Sequence, residues 1–76
     1  MKKKYNESAE DYLETILMLS KTLPVVRAVD IATELDFKKS SVSVAMKTCV
    51  KKGHITVTDA GYIYLTDSGK KIAEMV

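Results

Sequence analysis

Between Val29 and Gly53 the chain reads VDIATELDFKKSSVSVAMKTCVKKG, two short helical patterns with only a tight turn between them, and few folds accept that arrangement. Ile31, Ala32 and Leu35 recur at helical spacing. Asp36-Phe37 interrupts them, and Val42, Ala45, Met46, Cys49 and Val50 resume the period. This is the sequence form of a helix-turn-helix, in which the second helix is placed to enter a DNA major groove. Asp36 takes the turn position often held by glycine, and Asp is among the few residues that tolerate a left-handed backbone. Phe37 then drops toward the core.

Seventy-six residues suffice for one domain, 1–76, with a small core and no room for an enzyme cleft flanked by two layers. The single cysteine, Cys49, cannot form an intrachain disulfide and falls on an apolar helix face, where a thiol is buried and inert. His54 has no second His or Cys at ligand spacing, so it reads as structural or simply exposed rather than as a metal ligand. One His and one Cys on different elements make no nucleophilic site, and there is no glycine-rich phosphate loop. The expectation is that the protein is not an enzyme. Met1–Lys4 is basic like the start of a signal peptide, but the apolar run Ile16–Leu19 is far too short for export or membrane insertion, which predicts a cytoplasmic protein.

The net charge of +2 matters less than its distribution. From Glu7 to Asp36 the acids are Glu7, Glu10, Asp11, Glu14, Asp30, Glu34 and Asp36, against Lys21 and Arg27 alone. From Phe37 to Thr58 come Lys38, Lys39, Lys47, Lys51 and Lys52 with no carboxylate. That segregation predicts an electropositive side centred on the second helix of the motif.

Around the motif, Ser8 and Asp11 resemble a capping box that opens a first helix to about Lys21, with Ala9, Tyr12, Leu13, Ile16, Leu17 and Ser20 on its inner face. Lys2 to Asn6 reads as a basic arm, 1–6 being expected to lack order. Val25-Val26-Arg27 is β-branched and suits a minor strand against a later hairpin. The helix over 28–35 lacks a good cap, since Arg27 stands where Ser or Thr is expected. The next helix starts near Lys38 to Ser40 and stops at Gly53. Ile55 to Thr58 and Tyr62 to Leu65 flank Asp59-Ala60-Gly61, a hairpin signal with Ile55, Val57, Ile63 and Leu65 inward and Thr56, Thr58, Tyr62 and Tyr64 outward. Thr66 caps a last helix from Asp67 to Val76 whose apolar side is Ile72, Ala73 and Val76. The predicted class is α+β, mainly α: a winged helix-turn-helix of three helices, a two-stranded wing and a C-terminal helix.

The candidate contacts to double-stranded DNA follow from this layout. Lys39, Ser40, Ser43, Lys47 and Lys51 share one face of the helix over about 39–52, with Val44 beside them. Short hydroxyls permit close approach, lysines reach guanine acceptors or phosphates, and Val44 can meet a thymine methyl. The helix-terminal amides near Ser40 and Ser41 suit a phosphate. Lys38 and Lys52 add backbone contacts. Tyr62 and Tyr64 either reach phosphates through their hydroxyls or pack across the strands. A different class of function uses the same fold as a protein–protein interaction module without DNA.

The segments SAEDYLETILML, VRAVDIATELDFKKSSVSVAMKTCVKKGHI and LTDSGKKIA together resemble the DNA-binding domain of the diphtheria-toxin-repressor and manganese-transport-regulator family of metal-dependent repressors. The resemblance implies a transcriptional regulator. It also implies metal ligands on the first helix, at Asp11 and Glu14 of the DYLE segment, whose i, i+3 spacing puts both carboxylates on one side as Mn or Fe(II) would want. Family members continue into a second helical domain with the remaining ligands and the dimer interface. This sequence ends at Val76, so the resemblance implies at most a remnant half site, completed by another subunit or chain. A single module buries little surface on DNA and paired half-sites are the usual solution, so a homodimer is expected, with Met18, Leu19, Met75 and Val76 as its apolar surface.

Overall fold

The three apolar patterns of the chain close on one another. A computed structural model describes residues 9–75, with α1 (Ala9–Ser20), α2 (Ala28–Leu35), α3 (Lys39–Lys51), β1 (Ile55–Val57), β2 (Ile63–Leu65) and α4 (Asp67–Met75) in that order. Tyr12, Leu13 and Ile16 of α1 meet Ile31 and Leu35 of α2, Val42, Met46 and Cys49 of α3, Ile55 and Ile63 of the strands, and Ala73 of α4 in one buried cluster. The arrangement is a winged helix-turn-helix closed by a C-terminal helix. Ser8, and with it the expected capping box, the basic arm Lys2–Asn6, and Val76 lie outside the described residues.

The turn of the motif forms as its residues demand. Asp36 adopts φ 60° and ψ 40°, the only left-handed non-glycine among the described residues. The Asp36 and Phe37 amides both donate to the Ala32 carbonyl, the latter at 3.1 Å, which closes α2 and turns the chain. Phe37 then packs edge-on against Tyr12, with ring centroids 5.9 Å apart and planes at 63°, so it fills the rim of the core.

Four local expectations need correction. Arg27 does leave α2 without a side-chain acceptor at the cap, but the helix caps itself from inside: the Arg27 N–H donates to Asp30 Oδ2 at 2.9 Å. Asp30 at the third helical position supplies the reciprocal half of a capping box and also complements the helix dipole. Asp30→Ala is expected to cost about 1 kcal/mol in urea unfolding, the usual worth of a cap. The minor strand at 25–27 shrinks to one bridge, in which Ile63 N–H donates to the Val26 carbonyl at 2.8 Å. Val57 and Val50 are not interior: each is 44 % exposed. Val57 follows the inward period but ends a strand that runs past the edge of a core this small, and Val50, in the last turn of α3, borders the cleft toward the wing. On α1, Leu19 packs half-buried on the core rather than outward, while Ser20 is exposed and donates its hydroxyl to the Leu17 carbonyl at 2.7 Å.

The wing pairs Ile55 with Leu65, Thr56 with Tyr64 and Val57 with Ile63. Its turn is built by Thr58, whose carbonyl accepts the Gly61 N–H at 2.9 Å and whose hydroxyl accepts the Tyr62 N–H at 3.1 Å. Gly61 sits at φ +87°, where a side chain would be strained, and this is the glycine position of a three-residue hairpin.

Candidate nucleic-acid interface

Helix α3 is fixed at both ends and along one side, which defines the side left over. Val42, Met46 and Cys49 are buried. Burial pushes the Cys49 thiol above its ordinary pKa, partly opposed by the charge of Lys52, so the thiol stays neutral and unreactive. At the C-terminus the Gly53 N–H donates to the Val50 carbonyl and the His54 N–H to the Cys49 carbonyl, both at 3.0 Å, with Gly53 at φ +79°. These two bonds are the Schellman closure, and Gly53 permits it.

The following turn is locked to α4. The Thr66 hydroxyl donates to the Gly53 carbonyl at 2.7 Å and accepts the Gly69 N–H at 3.2 Å, and the Thr66 N–H donates to the His54 carbonyl at 3.0 Å. Thr66 therefore caps α4 and ties that cap to the end of α3. His54 Nδ1 lies 3.0 Å from Ser68 Oγ, a structural contact. Gly69 rests directly against the His54 backbone: a Cβ there would overlap the His54 carbonyl oxygen.

Opposite the buried side, Lys39, Ser40, Val44, Lys47 and Lys51 are exposed, and α3 carries no carboxylate. Lys38 and Lys52, also exposed, bracket the helix. The N-cap, Lys38, makes no side-chain hydrogen bond to the first turn. Ser43 and Ser41 are not part of the central stripe but its two half-buried flanks. Ser43 borders a cleft of about 370 Å³ between α3 and the wing, walled by Met46, Val50, Val57 and Ile63, while Ser41 borders a depression toward Ala9 and Tyr12 of α1. Thr48, absent from the sequence-derived candidates, is also exposed on this helix; its hydroxyl donates to the Val44 carbonyl at 3.2 Å.

Tyr62 is half-buried, with Arg27 against its ring. The guanidinium lies 5.0 Å from the centre of the Tyr62 ring and its Nη2 donates to the phenolic oxygen at 3.3 Å. An exposed cation at the start of α2 is thereby held against the wing. Sequence reasoning gave Arg27 no part in the site, because 35 residues separate the pair and no local pattern joins them. Tyr64, by contrast, is exposed opposite Thr56.

Residues 4–61 match the family model described as iron dependent repressor, N-terminal DNA binding domain. The chain belongs to this family. The matched range runs from before α1 to the turn of the wing, and the closing segment Leu65–Ala73 lies beyond it. No curated protein matches the chain. The assignment and the winged architecture together establish a DNA-binding regulatory function rather than the protein-interaction alternative, and a non-enzymatic one. No described helix is long and apolar enough to cross a membrane.

The family description names iron, and the residues present can be tested for it. Asp11 is half-buried and Glu14 exposed on successive turns of α1. Among the described residues no three His, Cys, Asp or Glu side chains gather into a group able to hold a metal ion. Two carboxylates leave a transition metal short of donors. Asp11 and Glu14 therefore do not make up an iron site by themselves.

Proposed function

We propose that the chain is a sequence-specific transcriptional regulator that works in the cytoplasm, with α3 in the major groove and residues 1–76 acting as one DNA-binding unit. The exposed face of α3 carries this reading: Lys39, Ser40, Val44, Lys47 and Lys51 in one stripe, free of carboxylates. A helix of about 10–12 Å diameter fits a groove about 12 Å wide. Ser40, Ser43 and Val44 approach the bases. Lys38, Lys39, Lys47, Lys51 and Lys52 follow the phosphates, and the amides near Ser40 and Ser41, at a helix end without a side-chain cap, receive one of them. Tyr62, with Arg27 stacked on it, gives the wing a hydroxyl and a cation for the flanking backbone where the turn itself offers only Asp59.

Specific sites are usually read by paired modules, so the reading extends to a homodimer on a two-fold operator. Met18 and Met75 are exposed, Met75 to 82 %, and suit an interface; Leu19 is occupied by the core. Asp11 and Glu14 enter only as half of a Mn or Fe(II) site completed from elsewhere.

The experiment is duplex binding across a salt series. With about five phosphates met by Lys38, Lys39, Lys47, Lys51 and Lys52, log K should fall against log salt with a slope of roughly −4.5. Binding indifferent to salt rejects the reading.

A further inference from the structure

We infer that Val44 reads the C5 methyl group of a thymine and thereby sets the base preference of α3, an inference that rests on the DNA-binding reading above. Val44 is 65 % exposed, the most exposed apolar side chain of its helix, on the face opposite Val42, Met46 and Cys49. It is not among the side chains packed against the buried cluster. As a β-branched residue it is also a poorer helix former than the Lys or Ala found beside it, so local stability gives no reason for its place.

The chemistry of its neighbours narrows what it can meet. From Lys39 to Lys51 the sequence contains no Arg, Asn, Gln, Asp or Glu. The guanidinium and amide groups that read guanine and adenine by paired hydrogen bonds are therefore missing from this helix, as is the carboxylate that accepts from cytosine. Lys47 is among the phosphate contacts, and the Ser40 and Ser43 hydroxyls, which bond base edges without preference, remain as the polar groups. The Thr48 hydroxyl, one turn on from Val44, is turned back onto the Val44 carbonyl. The one side chain of the stripe able to discriminate between bases is thus the isopropyl group of Val44. The edges of the base pairs in the major groove offer one apolar partner for it, the thymine methyl.

The test starts with selection of bound duplexes from a random pool by the wild-type chain and by Val44→Ala. The exposed position predicts an unchanged melting temperature for the variant, which circular dichroism checks. The wild type should enrich a thymine that the variant does not. Replacing that thymine by deoxyuridine, which removes only the methyl, should weaken wild-type binding about threefold to fivefold, the worth of one buried methyl. Val44→Ala, with a shorter apolar group, should lose most of that discrimination. Wild-type binding that no thymine-to-deoxyuridine change affects, or a variant as sensitive as the wild type, overturns the assignment of Val44 alone. Failure of the wild-type chain to bind any duplex overturns it together with the DNA-binding reading.

Discussion

Lys39→Glu combined with Lys47→Glu should lower duplex affinity by about 100-fold or more at 0.15 M salt while leaving the fold intact. Both side chains are exposed on α3, so neither contributes to the core. Each phosphate neutralised releases counterions worth about sixfold in affinity at that salt concentration, taken from a slope of about −0.9 per contact. Two lost contacts account for about 30-fold. Two carboxylates facing the phosphates add repulsion. The slope of log K against log salt should drop from roughly −4.5 to roughly −2.7, a readout that general loss of structure would not produce in a chain with an unchanged unfolding curve. An unchanged affinity would mean that α3 is not the reading helix.

Gly69→Ala should destabilise the chain by about 3 kcal/mol, a large fraction of what a domain of this size possesses. The added Cβ would overlap the His54 carbonyl oxygen, an atom that also accepts the Thr66 N–H. Since that contact is with backbone, no side-chain rotation relieves it. Either α4 moves away from the turn after α3 or the turn gives way, and both routes disturb the Thr66 bridge between Gly53 and the α4 cap. Lys71→Ala, exposed two residues along the same helix, should change stability by less than about 0.5 kcal/mol. Equal urea midpoints for the two variants would show that the close approach of Gly69 to His54 is not held in solution. DNA affinity should fall with Gly69→Ala as well, because the turn it disturbs is the one that ends α3.

Much of the fold was legible because short-range rules agree along this chain. The α2 boundaries, the left-handed Asp36, the glycine stop of α3, the hairpin around Gly61 and the Thr66 cap each follow from residue type and spacing within a few positions. Missed local features had signals too weak or too easily outvoted. In the sequence Asp30 reads as an acid of the negative half of the chain, while its position three residues after Arg27 marks the reciprocal cap. Of the candidate interface, Ser40, Val44, Lys47 and Lys51 follow directly from helical phase, whereas Ser41 and Ser43 shared the phase only approximately and turn toward α1 and the wing.

The sequence by itself determined the elements, the family and the charged face, since periodicity and charge are properties of neighbouring residues. Tertiary structure alone decided where the periodicity stops mattering. Val50 and Val57 obey the inward pattern and are still half in solvent, because the core is narrower than the elements that surround it. It also decided the pairs that join distant segments: Arg27 on Tyr62, Thr66 on Gly53, and Gly69 on His54. None of these has a local signature, for the free energy of each depends on a distance that exists only once the helices have packed.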